Sequence, residues 1–417
     1  MRLAFNRETQ THDACGSTMA DIPHFIPLEE AVRLANEVKI VPETEEVGLD
    51  SSHQRILAID LESKVDDPAF DNSAMDGFAM RYEDTLNPPS RLKISGLSKA
   101  GGSGKSIQPG EAARIMTGAP LPEGADAILQ IELCEVEGSE VVLKEEGKKH
   151  FIRKQGENLS KGVVSLTKGA YLSPSRIGLC ATMGHAKIPV YKPLKVAIIS
   201  TGDELIQPGE NLGPGQIYES NSFGLAGLVR WLGHEPVRYT RALDSMDDTR
   251  NQLDQAASEC DLILTSGGVS MGEFDFVRRI MEEEGDLRFW RVRIRPGSPP
   301  LFGLWRETPI FGLPGNPVSS HVVFRMLVAP WIRNCTGADG PIEHRTRAKL
   351  STKVKSTKDC VTLRRVSVEQ TSEGLVAKQQ VHQGSGNLAS MATSDALTLL
   401  SPGEFPEIGD DIEVILL

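Results

Sequence analysis

The chain is 417 residues long, with 45 Lys and Arg against 57 Asp and Glu, a formal net charge of −12. That length exceeds one core and suits roughly two to four domains. The acid excess excludes general nucleic-acid binding, which needs a basic face, and no apolar run approaches the ~18 residues that cross a membrane as a helix.

Residues 1–21 mix charge and polarity without a signal-peptide core, so they read as a flexible tail and the expected location is the cytoplasm. The apolar spacing of Leu28, Ala31, Val32, Leu34, Ala35 and Val38 predicts an amphipathic helix. Residues 56–61 read as a strand, and the polar cluster DNSAMDGFAM, 71–80, as a loop. From about 90 to 160, short alternating segments such as 127–136 and 139–144 predict a small β domain. It carries RIMTGAPLP, where a strand ends at Thr117-Gly118.

Past Pro193 strands and helices alternate: strand 195–200, helix 221–232, strand 235–240, helix 247–259, strand 261–264, helix 274–284, strands 287–294 and 309–313, helix 318–333. This predicts a three-layer α/β domain, a parallel sheet covered on both faces. Short strands at 362–368, 375–381, 396–400 and 411–417 then predict a small β-barrel. The cysteines (Cys15, Cys134, Cys180, Cys260, Cys335, Cys360) contain no CxxC and read as reduced thiols.

The run DLILTSGGVSMGEFD, 261–275, is the most informative stretch. A buried strand opens into Ser266, Gly267 and Gly268, and Glu273 and Asp275 follow at a helix start. Open α/β sheets bind ligands at such points, and glycine with free helix amides favours an anion. Glu204 after the first strand, Asp244 after the second and Asp275 after the third bring acids to one sheet edge. That arrangement suits Mg²⁺ shared with phosphate oxygens; ordinary helix capping is the alternative.

In GLPGNPVSS, Asn316 fits an N-cap and Pro317 the first helical position. The amides of Val318 to Ser320 are then free either for an anion or for water. Arg291, Arg293 and Arg295 alternate, so they share one face of a strand as a phosphate clamp or as a solvated row. GGSGKS, 101–106, lacks the first glycine of a P-loop, since Lys99 stands there, and no nucleoside triphosphatase is expected.

In order, DNSAMDGFAM, RIMTGAPLP, STGDEL, IYESNS, SGGVSMGEFD and GLPGNPVSS resemble the signatures of the molybdopterin molybdenumtransferase (MoeA/gephyrin) family. The resemblance covers nearly everything after residue 22. It implies an elongated discontinuous part (22–62 with 158–192), a β insertion (63–157), an α/β domain of molybdopterin-binding type (193–343) and a C-terminal barrel (344–417). It also implies a homodimer whose site joins the α/β domain of one subunit to the β insertion of the other. The implied reaction takes adenylylated molybdopterin and molybdate, needs Mg²⁺, and releases AMP and molybdenum cofactor. A molybdopterin adenylyltransferase and molybdoenzyme chaperones are the implied protein partners.

Carried over residue by residue, the catalytic positions are Asp76, Thr117, Glu204, Asp244 and Asp275, with the metal on some of Glu204, Asp244 and Asp275. The substrate positions are Ser266, Gly267, Gly268, Ser270, Arg291, Arg295, Ser298, Pro314, Gly315, Asn316, Pro317, Arg365 and Ser385. The chain departs from the family where lysines are usual: Arg291, Arg295 and Ser298 stand there, and Ser298 removes a charge. An adenylyltransferase using the same α/β domain and a gephyrin-like binding scaffold are the alternatives.

Overall fold

The structure, a computed structural model, describes residues 22–272, 275–379 and 382–417. The tail, Cys15, Glu273 and Val381 lie outside the described residues.

Near-continuous apolar runs make the central strands Lys195–Ser200, Leu262–Ser266 and Thr308–Leu313, buried almost throughout, as expected of strands covered on both faces. Leu262–Ser266 pairs in parallel with the other two. The sheet runs His24–Ile26, Asp286–Val292, Leu301–Trp305, Thr308–Leu313, Leu262–Ser266, Lys195–Ser200, Glu235–Arg238. It is not wholly parallel: Leu301–Trp305, absent from the sequence reading, runs antiparallel to both neighbours. A tight hairpin reverses the chain there, with Arg306 and Glu307 at φ 48° and 70°. Two-residue hairpins need such positive φ values, but Arg-Glu carries none of the usual Asn-Gly signal.

Helices Leu28–Asn36, Asn221–Trp231, Pro317–Val323 and Ala329–Thr336 pack on one face. Met246–Glu259 and Phe276–Glu283 pack on the other. Trp331 ties the first helix to the last, its Nε1 donating to Ala35 O (3.0 Å) and Val38 O (2.8 Å). The predicted helix 318–333 is interrupted by a wide-turned stretch, Phe324–Val328. Pro330 follows it and lacks the N–H that would close a regular turn.

Thr44–Gly48 pairs with Lys187–Tyr191, and Leu61–Glu62 with Val164–Leu166, so the chain leaves this region after residue 62 and returns near 164. The expected strand 56–61 is reduced there to single bridges at Ile56 and Leu57. Between the two passes lies a sheet in the order Ala127–Gln130, Gly77–Met80, Glu111–Ile115, Ser90–Ser98, Glu140–Leu143, Cys134–Glu137. The loop expected at 71–80 is therefore half strand, and Gly77–Met80 is buried. A Cβ on Gly77 would sit 2.0 Å from Leu129 O, so only glycine admits this approach.

The C-terminal strands close a barrel in the order Arg345–Leu350, Gly374–Gln379, Arg365–Thr371, Ala396–Thr398, Asp411–Leu416. Leu363, Met391, Leu397 and Ile415 join the core beneath the α/β sheet, which seats the barrel beside that sheet.

Candidate active site

The parallel strands end together at Ser200, Ser266 and Leu313. Thr201 N donates to Ser266 O and Gly267 N to Leu313 O, both 3.0 Å. Gly267 has φ 101°, and a Cβ there would lie 2.6 Å from Thr201 Oγ1. Gly315 packs against Gly267, 3.6 Å separating its ideal Cβ position from the Gly267 Cα. Ser266, Gly267, Gly268, Pro314 and Gly315 thus form one small-residue floor. Asn221 pins it, its Nδ2 donating to Ser266 Oγ and to Gly315 O, both 2.7 Å. Glu219, 3% exposed, holds Ser200 Oγ (2.9 Å) and Ser222 N (2.8 Å) from below. Both residues lie in IYESNS, whose sequence alone shows no partner for either.

Acids gather beside this floor. A bridge between Thr201 and Ala242 brings the loop carrying Asp244 to the TGDE turn. Asp244 N donates to Asp203 Oδ1 at 3.2 Å, and Asp203 N to Asp244 Oδ2 at 3.5 Å. Burial pushes the Asp244 carboxyl above its ordinary range, the Asp203 and Glu204 carboxylates push it further, and the Asp203 amide and Arg241 offset part of this. Asp275 behaves differently: its carboxylate accepts the Gly272 amide. Among the described residues no group of three Asp, Glu, His or Cys is arranged to hold a metal ion. The acid joined to Asp244 is Asp203, not Asp275.

A cleft of about 420 Å³ lies between the Pro314–Pro317 turn and the barrel, lined by Arg295, Ser298, Ser319, Thr357, Arg364 and Ser385 among others. Arg295 Nη1 donates to Ser298 Oγ at 2.7 Å, and Ser298 Oγ to Ile294 O at 2.8 Å. Burial lowers the Arg364 pKa, and the nearby Arg295 lowers it further. Two cations from neighbouring paired segments line one cleft, which is a place for an anion.

Three expectations change here. The arginine row is broken, because Arg291 takes φ 65°. Arg291 and Arg293 instead stack on Phe25, at 5.2 and 5.5 Å from its ring centre, and Arg291 does not line the cleft. Arg365 is 1% exposed and spends its Nη2 on His382 O (3.1 Å) and Gly384 O (3.0 Å). It shapes the Ser385 loop, while Arg364, on the opposite side of the backbone, reaches the cleft. Pro317 opens its helix and Asn316 precedes it, without a side-chain cap bond. Two of the three amides beyond are taken, since Val318 N donates to Ser385 O (3.1 Å) and Ser320 N to Asn316 O (3.0 Å).

Asp76 and Thr117 meet at the end of the inserted sheet, where Gly77 pairs with Ile115. Thr117 N and Oγ1 donate to Asp76 Oδ1 at 2.6 and 2.8 Å and hold that exposed carboxyl below its usual range. No hydrogen bond or ion pair among the described residues links them to the strand-end floor.

The fold and this sheet edge define a multidomain protein built on an α/β ligand-binding domain. Residues 197–334 match the family described as "Probable molybdopterin binding domain", 26–184 the "MoeA N-terminal region (domain I and II)" and 347–417 the "MoeA C-terminal region (domain IV)". A molybdopterin molybdenumtransferase of Bacillus subtilis is 34% identical over 94% of this chain and 94% of its own. One of Haemophilus influenzae is 39% identical over 73% of this chain and 76% of its own. The crystal structure of a molybdopterin biosynthesis MoeA protein from Pyrococcus horikoshii superposes with TM-score 0.77 at 33% identity, covering 94% of this chain and 99% of that one. The chain belongs to the molybdopterin molybdenumtransferase (MoeA) family, a family of transferases of molybdenum cofactor biosynthesis.

Proposed function

We propose that this chain inserts molybdenum, taken from molybdate, into adenylylated molybdopterin, releasing AMP and molybdenum cofactor in an Mg²⁺-dependent reaction in the cytoplasm. The observation that carries this reading is the joining, at one sheet edge, of a glycine floor, a group of neighbouring acids and a two-arginine cleft. A diphosphate link, a divalent cation and a tetrahedral oxyanion ask for those three environments.

Gly267, Gly268 and the Pro314–Pro317 turn, held by Asn221, form the floor on which the pterin phosphate and adenylate rest. Arg295 and Arg364, with the Ser385 hydroxyl, hold the oxyanion, and Ser298 steadies Arg295 by accepting from its Nη1. Arg364 thereby offsets the charge missing at Ser298. The acid group fits a cation: Asp244 lies close to the Asp203 and Glu204 carboxylates, and Mg²⁺ takes one or two carboxylates and completes its shell with phosphate oxygens and water. Glu204 and Asp244 are its holders, with Asp275 the third candidate. Bound there, the cation would screen charge developing on departing AMP.

Asp76, fixed by Thr117, orients water or the incoming oxyanion. Because these two residues lie on the inserted sheet, the reading places them across a homodimer interface, facing the partner's floor. Complementation of a strain lacking molybdenumtransferase, read as molybdoenzyme activity, tests the assignment. Failure of the expressed, folded chain to restore that activity at any molybdate concentration sinks it.

A further inference from the structure

The turn after Gly268 is exposed at Ser270, Met271 and Gly272, with Met271 72% exposed. Its base is nevertheless held by two side chains from outside the strand-end floor. Trp290, on Asp286–Val292, donates its indole N–H to Val269 O at 2.9 Å. Arg278, on Phe276–Glu283, donates Nε to Ser270 O at 2.9 Å. Two successive backbone carbonyls are thus fixed from a strand and a helix.

The holders are themselves held. The Arg278 guanidinium stacks over the Trp290 ring at 4.8 Å. Its Nη1 lies 2.8 and 2.9 Å from the two Glu282 oxygens, with side chains only 16% and 10% exposed. His24 covers the indole at a ring separation of 5.0 Å, on a strand whose register sets His24 opposite Trp290. The N–H and guanidinium bonds go to backbone carbonyls and a carboxylate, the partners of groups that hold backbone in place.

We propose that Trp290 and Arg278 are positioning residues: they clamp the Val269–Ser270 backbone so that the glycine floor and the Ser270 hydroxyl are set before substrate arrives, with His24 as the backing. The inference rests on the reading that this floor receives the substrate's phosphates. An exposed turn left unclamped must be ordered by the ligand at the ligand's expense. Its loss therefore appears in KM and leaves kcat alone.

Trp290→Phe keeps the stacked ring and removes the donor. Arg278→Met keeps the stem and removes the guanidinium bonds, and Arg278→Lys returns the charge to Glu282. Hydrogen exchange over residues 266–272 is expected to quicken at least about fivefold in Trp290→Phe and Arg278→Met. KM for adenylylated molybdopterin is expected to rise about tenfold, the worth of one hydrogen bond, with kcat within about twofold. Arg278→Lys is expected to fall between Arg278→Met and the parent, and His24→Ala to shift both readouts less, in the same direction. If the parent does not turn over this substrate, the functional reading fails while the exchange comparison still decides the clamp. Unchanged exchange in both Trp290→Phe and Arg278→Met, or a kcat loss at constant KM, overturns it.

Discussion

Replacing Asp244 by Asn separates function from stability in an unusual direction. In the folded chain this carboxylate is partly buried and faces Asp203 and Glu204, so its ionised form is disfavoured. The sign follows: a carboxyl with a raised folded pKa weakens the fold at neutral pH, and acidification relieves it. Asn keeps an oxygen for the Asp203 amide, which donates at 3.5 Å, and removes the like-charge contacts. Partly exposed charge pairs are worth about 0.2–1 kcal/mol, so Asp244→Asn is expected to stabilise by roughly 0.5 kcal/mol, or about half a degree in Tm for a chain of this size. Release of AMP from adenylylated molybdopterin should meanwhile fall at least about a hundredfold, as when a charge-stabilising group is lost from an active site. Calorimetry and nucleotide chromatography on one preparation give both values. A Tm several degrees below the parent makes Asp244 a structural residue; AMP release at the parent's rate removes it from the site.

Gly267→Ala puts a Cβ 2.6 Å from Thr201 Oγ1 at φ 101° and should cost about 2 kcal/mol in urea unfolding. Arg364→Met should weaken molybdate binding about fivefold to tenfold by calorimetric titration with the fold intact, whereas Arg365→Met should lower Tm by removing bonds to His382 and Gly384. Burial holds His234 and His321 at about 4 in place of 6.5. The unfolded chain therefore takes up protons that the folded chain refuses, and stability is full above 6.5 and falls as the pH drops to about 4, by at most about 3 kcal/mol per histidine. His234→Asn, which can still accept from Leu194 N, should flatten the fall in urea midpoint over that window. Mixing inactive Asp76→Asn and Asp244→Asn proteins should restore part of the activity if the site spans two subunits, and none if each chain carries a whole site.

Elements built from dense, one-sided signals were legible from sequence. Lys195–Ser200 has the bounds its apolar run predicts, and Asn221–Trp231 ends one residue short of prediction. Leu301–Trp305 was missed because its hairpin residues are Arg and Glu. Gly77–Met80 reads as loop from sequence because its polar neighbours mask a short buried strand. The motifs name Ser266, Gly267, Gly268, Pro314 and Gly315, which the fold gathers at one sheet edge, but the partners of the site residues depend on folding. Asp203 meets Asp244 only through the Thr201–Ala242 bridge. Which of Arg364 and Arg365 faces the cleft turns on a one-residue phase of a strand. The Val318 amide looked free until the barrel loop supplied Ser385 O.

Purified protein given adenylylated molybdopterin and Mg²⁺, with and without molybdate, tests the account most directly. AMP should appear in step with molybdate supplied, and the product should activate a molybdenum-free molybdoenzyme. Adenylylation of free molybdopterin from ATP, with no molybdate-dependent AMP, would contradict it.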